Sequence, residues 1–168
     1  MPPPREVARG APPLAVSSGT GVFTGYASLF DVADAAGDVV QPGAFAASLQ
    51  RSGPDGVRML FQHDPAEVVG AWIEMFENGK GLFVRGRLNP KVQRGRELMA
   101  LLEQRAIDGL SIGFRTVFAN KDKRSGLRRL HRIDLWEVSL VTFPMLQGAR
   151  VSQLKARAEA LFQPKECE

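Results

Sequence analysis

The sequence is poor in the residues that staple or metallate small folds, with one cysteine and two histidines among 168 residues. A single thiol excludes an intramolecular disulfide framework, and one Cys with two His falls short of a structural zinc set. That Cys167 lies one residue from the end of the sequence, where a catalytic thiol would have no walls around it. No metal and no cofactor are therefore expected. Nowhere is there a run of about eighteen apolar residues, so no membrane-spanning helix is expected. The opening stretch MPPPREVARGAPPLAVSSG has prolines and charges where a secretory signal needs a continuous apolar run. Residues 1–20 thus read as a flexible leader, and action in a cytoplasmic compartment, or in something assembled there, is expected. Neither sign of charge dominates, since 22 Lys plus Arg face 18 Asp plus Glu. The pI near 9.6 permits nucleic-acid contact, but the interleaved aromatic and basic pattern of a base-stacking surface is missing.

What is present suits one folded domain: 44% apolar and 24% charged residues, at a length that supports a single core. From Gly21, GVFTGYASLF alternates Val22, Thr24, Tyr26 and Ser28 against Phe23, Ala27 and Leu29, the period of a strand. DVADAAGDVV follows as a loop or hairpin, and Pro42 opens a short helix in GAFAASLQRS. VRMLFQH predicts a buried strand from Val57 to His63. EVVGAWIEMFE and LFVRGRL, joined by NGKG, extend it into an antiparallel meander. NPKVQRGRELMALLEQRAI predicts one long helix with Asn89 as N-cap and Pro90 in the first turn. Its apolar stripe is Val92, Leu98, Leu101 and Leu102, and Asp108-Gly109 ends it. Two further strands, LSIGFRTVFA and RRLHRIDLWEVSLVTF, flank NKDKRSG, and ARVSQLKARAEALF predicts a final helix. The fold class is α+β: a mostly antiparallel sheet or barrel with a few packed helices. Residues 21–149 form the domain, and residues 150–168 a C-terminal helix and tail.

Three residues stand out as chemistry. Ser111, in DGLSIGFRT, shares its strand face with Gly109 and Gly113, which leaves its hydroxyl sterically open. It reads either as a nucleophile or as a small polar residue at a barrel crossing; Ser28 and Ser139 are the next serine candidates. His63 ends the apolar run LFQH and reads as a general base or as a hydrogen-bonded structural histidine. Its neighbour Asp64 faces the other way along a strand, so an orienting group has to come from elsewhere. Glu137 lies in IDLWEVSLVTF, where both parities are apolar, so burial on both faces is expected. A carboxylate there needs a partner, either an arginine such as Arg115 or the imidazole of His63. His131, the competing histidine, is six residues before Glu137, about 20 Å along a regular strand. A GxSxG elbow is absent, which argues against an α/β-hydrolase.

The segments GYASLFD, GDVVQPGAF, LFQHDPAEVVGAW, GLFVRGRL, GLSIGFR and LWEVSLVTFPM occur in this order between Gly21 and Ala149. As a set they resemble the prohead proteases of tailed phages, the HK97-type head-maturation family, and its relatives in gene transfer agents. The resemblance implies an assemblin-like fold and a serine endopeptidase with Ser111 as nucleophile and His63 as base. It implies Glu137 as third member, although assemblins use a second histidine there, which keeps His131 in view. Backbone amides near Ser111, with Arg115 as helper, are the expected oxyanion hole. Met145 after Pro144 departs mildly from the family's proline and small residue. Also implied are cleavage of the scaffold, or of the N-terminal region of the major capsid protein, and then of the enzyme itself. The setting is an assembling procapsid in the host cytoplasm, and self-association is left open. Two other readings remain: a catalytically silent assembly factor that keeps the fold for scaffold contacts, and a nucleic-acid-binding module favoured by pI alone.

Overall fold

The strand-forming stretches above all end up in one curled sheet. A computed structural model describes residues 20–154; the expected leader up to residue 19 and the expected helix beyond residue 154 lie outside the described residues. The strands are β1 (Val22–Leu29), β2 (Asp38–Val40), β3 (Arg58–Phe61), β4 (Asp64–Glu77), β5 (Gly81–Leu88), β6 (Gly109–Lys121), β7 (Arg128–Val141) and β8 (Val151–Leu154). Their order is β2-β7-β3-β4-β5-β1-β8, and β6 pairs with β7. The meander β3-β4-β5 is antiparallel as expected, whereas β2 and β3 both run parallel to β7. The sheet curls until its two ends meet. Leu110 N–H donates to Ala149 O (2.8 Å), and Val151 N–H donates to Asp108 O (2.8 Å). That junction lies at the start of β6, one residue from Ser111.

Two helices, α1 (Ala46–Ser52) and α2 (Gln93–Glu103), pack on this sheet. Helix α2 starts later than the capping pattern predicts. The Asn89 side chain accepts the Lys91 N–H (2.9 Å) in a local turn, and Val92 takes the N-cap position with extended backbone. Leu98 and Leu102 are buried as the stripe requires, while Val92 and Leu101 are only half-buried. A larger difference lies at the other end of the domain. Val151–Leu154 is a strand on β1, not the start of a helix. Pairing against an otherwise open edge outweighs helical composition there, as tertiary context commonly does.

Strand β7 is the spine of the sheet. On one side it pairs with β6 along its length. On the other it meets β2, then the segment before and within α1, then β3. In that middle stretch Ile133 N–H donates to Ala44 O (3.1 Å) and Leu135 N–H to the buried Ser48 hydroxyl (2.9 Å). The apolar residues on both parities of β7 have a cause other than uniform two-sided burial. Gly113 pairs with Glu137 and Phe114 with Leu135, so Trp136 is an extra residue, a β-bulge. A one-residue insertion switches which parity faces inward. Ile133 and Leu135 are buried before it, Val138 and Leu140 after it, and Trp136 is 60% exposed. Burial on both faces is confined to Val138–Val141. The core gathers around this strand and includes Phe23, Met59, Trp72, Leu82, Val84 and Leu110.

The bulge makes a quantitative prediction. Trp136→Ala should shift stability by no more than about 0.5 kcal/mol, as for other exposed positions. Leu140→Ala, at a fully buried site, should cost about 2–5 kcal/mol. Urea midpoints of the two variants check this, and a large loss at Trp136 would contradict the register.

Candidate functional site

His63 does not end a strand. β3 stops at Phe61, and Gln62 and His63 form a two-residue turn into β4 with Phe61 paired to Asp64. Both turn residues have positive φ, 55° and 59°. Tight hairpins of this hand normally use Asn-Gly, and side chains at positive φ carry a local energetic cost. Contacts with β7 and the chain just after it hold the turn in place. Gln62 N–H donates to Leu140 O (3.0 Å), the Gln62 amide donates to the Thr142 hydroxyl (2.6 Å), and His63 N–H donates to the Ser139 hydroxyl (3.0 Å). Strain concentrated at a polar turn is a common mark of a functional position. Asp64, as expected, plays no orienting part; its carboxylate accepts the Ala66 N–H (2.9 Å).

The carboxylate that meets His63 is Glu137, 74 residues away in sequence. Glu137 Oε1 bonds His63 Nδ1, and Oε2 accepts the Ser139 hydroxyl (2.8 Å). The Glu137 side chain is 13% exposed and that of His63 41%. The hydrogen bond that Glu137 accepts holds the His63 pKa above the ordinary imidazole value; partial burial opposes it, and the carboxylate charge adds to the rise.

Ser111 sits directly across the β6–β7 ladder from Ser139, so their Cβ atoms are about 5 Å apart on one face. It is 4% exposed, and its hydroxyl has no hydrogen-bond partner among the described residues. It lines a cleft of about 190 Å³ whose other walls include Leu29, Val32, Asp34, Ile112 and Met145. The flanking glycines serve neighbours rather than the hydroxyl. A Cβ on Gly113 would lie 2.2 Å from Glu137 Oε1, and one on Gly109 would lie 2.6 Å from Val141 O and 2.8 Å from the Pro144 ring. The missing side chain at 113 is what lets the Glu137 carboxylate lie flat across β6. The cleft's walls include neither His63, Glu137 nor Ser139, and those three meet Ser111 through the β3–β7–β6 register instead.

The remaining candidates fall elsewhere. Arg115 is a correction: its guanidinium is tied to Asp134 (2.5 Å), which also holds Arg51 (2.6 Å), and it lies four residues along β6 from Ser111. Asp134 is kept below the usual carboxylate range by Arg115 and then Arg51. A guanidinium engaged in this way, about 13 Å along the strand, does not furnish an oxyanion donor at Ser111. His131 bonds the Asn120 side chain and lies against the Phe118 ring (5.3 Å between centroids), away from Glu137. Ser139 has a larger part than that of a substitute nucleophile. Its signal in the sequence is a hydroxyl two residues from Glu137, on the same face of an otherwise apolar strand.

The sequence profile described as Caudovirus prohead serine protease matches residues 13–163. The chain belongs to this family. It is 35% identical over 138 residues to the prohead protease of Enterobacteria phage HK97, covering 81% of this chain and 61% of that protein. It therefore spans about three-fifths of the length of that relative. Among solved structures, the bacteriophage T4 capsid assembly protease matches with a TM-score of 0.62 at 17% identity, over 84% of this chain and 93% of that one. The varicella-zoster virus protease matches with a TM-score of 0.50 at 16% identity, over 78% and 62%. The KSHV protease, solved with a hexapeptide phosphonate inhibitor, matches with a TM-score of 0.50 at 12% identity, over 77% and 63%. At such identities the likeness is one of fold, and it makes the curled α+β sheet of this family member assemblin-like, as the sequence predicts.

Gly113→Ala tests the packing of the site. The added methyl collides with the Glu137 carboxylate, so His63 should lose its fixed partner. The raised His63 pKa should fall toward the ordinary imidazole value while the domain stays folded. A histidine NMR titration reads the first quantity and circular dichroism the second; an unmoved pKa would contradict the geometry.

Proposed function

We propose that this chain is a serine endopeptidase of head maturation, with Ser111 as nucleophile, His63 as general base and Glu137 as the group that orients it. The observation carrying the reading is the His63–Glu137 hydrogen bond, formed across 74 residues beside Ser139, whose cross-strand neighbour on β6 is Ser111. Glu137 accepts the Nδ1 proton of His63, which leaves Nε2 as the basic nitrogen. Nε2 removes the Ser111 proton as the oxygen attacks the scissile carbonyl, then returns it to the leaving amine. Water hydrolyses the resulting ester by the same route. The imidazolium formed in both steps is stabilised by the Glu137 charge. With Arg115 engaged by Asp134, backbone amides near Ser111 are left to stabilise the oxyanion.

Ser139 is a poor nucleophile in this arrangement, since it is fully buried and its proton goes to Glu137. His131 is too far along β7 to serve as third member. A silent assembly factor has no use for a histidine held at positive φ against a carboxylate, which favours an active enzyme. The names of the HK97 and T4 relatives support a substrate drawn from the assembling head. That substrate is the scaffold or the N-terminal region of the major capsid protein, followed by the protease itself. The setting is a procapsid in the host cytoplasm.

Ser111→Ala should remain folded and lose several orders of magnitude in turnover, because it removes the attacking atom and little packing. Mass spectrometry of the capsid subunit after co-expression reads the outcome; undiminished cleavage refutes the assignment. Glu137→Gln should lower turnover by orders of magnitude with the fold kept, and His131→Ala only a few-fold. The reverse pattern would favour a Ser-His-His arrangement. His63 must be neutral to accept a proton, and its folded pKa is raised. The acid limb of kcat/KM should therefore lie above pH 6.5, with activity lost as pH falls through it, and Glu137→Gln should move it downward. A limb at or below 6.5 in the unaltered protein would contradict the pairing.

A further inference from the structure

We propose that Ser139 is a positioning residue for the proteolytic site, its one hydroxyl fixing both the backbone of the His63 turn and the carboxylate of Glu137. The inference rests on the reading of Ser111, His63 and Glu137 given above for its effect on turnover, but its geometry stands independently of it.

Ser139 is 0% exposed, in the part of β7 buried on both faces. A hydroxyl at such a position is costly unless its hydrogen bonds are made, and alanine or valine would suit a purely apolar strand. A serine offers one donor and two acceptor sites. The donor goes to Glu137 Oε2 (2.8 Å), and an acceptor site takes the His63 backbone N–H (3.0 Å). Both bonds run to the two groups that must meet each other. The register explains why this position can do so. Ser139 pairs with Leu60 of β3, just before the turn, and with Ser111 of β6 on the other side. Glu137 is two residues back on the same face.

Each bond removes a specific freedom. With Oε2 tethered, the carboxylate cannot rotate about its terminal torsion, so Oε1 stays aimed at Nδ1. With the His63 N–H tethered, the imidazole is carried on a turn locked at positive φ, where an unbonded turn would relax. Removing the hydroxyl leaves the His63 N–H without its acceptor and the carboxylate with one bond fewer, so both errors misplace the base. Losing an outer partner that orients a metal-bound histidine typically costs about 10–100-fold, and a loss of the same order is expected for this base.

The test compares Ser139→Ala, Ser139→Cys and Ser139→Thr in the full chain, with the major capsid protein of the same particle as substrate. Cys fills the same space as Ser with a weak hydrogen bonder, whereas Thr keeps the hydroxyl. The second readout is the downfield proton resonance of His63 Nδ1, assigned against His131→Gln, since the chain has only two histidines. Ala and Cys are expected to lower kcat by about 10–100-fold with KM within about twofold, and to broaden or lose the Nδ1 resonance. Thr should restore both. Wild-type kcat and an intact resonance in Ser139→Cys would mean that Ser139 only fills space, and would overturn the proposal even if Ser139→Thr fails to fold. An absent Nδ1 resonance in the unaltered protein would overturn it too. If the unaltered protein and Ser111→Ala cleave equally while Ser139→Ala still abolishes the resonance, the positioning role stands and the assignment of Ser111 as nucleophile fails.

Discussion

The hydrogen bond between Glu137 and His63 is the contact on which the arrangement of this site depends. It joins the spine strand of the sheet to a two-residue turn, and neither partner reaches the other through local structure. Several costs gather around it: a non-glycine turn at positive φ, a largely buried carboxylate, and a strand position that tolerates no side chain at Gly113. Each is unfavourable for an isolated element, and together they fix one imidazole nitrogen and leave the other without a partner among the described residues. A fold selected for stability alone has no reason to combine them.

The bulge at Trp136 makes that contact compatible with a packed core. Without the extra residue, the parity that buries Ile133 and Leu135 would continue inward at Glu137 itself. With it, Glu137 and Ser139 share a face with Ser111, while Val138 and Leu140 take over the core. Bulges commonly re-aim a side chain beside an active site at the expense of one ladder pairing. Here the disrupted stretch of β7 is satisfied from α1, where Ser48 accepts the Leu135 N–H. The short helix thus supports the site without lining it.

The likeness to the T4 and herpesvirus proteases persists at 12–17% identity. What such distant chains can share is the curl of the sheet and the crossing of strands, which depend on burial pattern and register rather than on particular side chains. The closure of the sheet next to Ser111, through Leu110 and Val151, belongs to this level of description. The residues proposed for the chemistry, Ser111, His63 and Glu137, are few and stand on this shared frame.

Much of this was open to reading from the sequence. Strand and helix periods and the meander from Arg58 to Leu88 follow from side-chain alternation, a local property of the chain, whereas the settings that alternation assigned to Ser111, His63 and Glu137 were replaced by a turn, a close approach and a bulge. Its family belongs there too, because ordered motifs are a property of the chain alone. Tertiary structure decided the rest. Val151–Leu154 became a strand because an edge of β1 was there to pair with, and Arg115 was drawn to Asp134 instead of to the site. The bulge at Trp136 was invisible, since apolar residues on both parities look the same whether a strand is buried twice or shifted once. Ser139 gained its role only when β3, β6 and β7 lay side by side, because a hydroxyl that spans two groups acquires meaning from where they stand, and those positions lie 2 and 76 residues away in sequence.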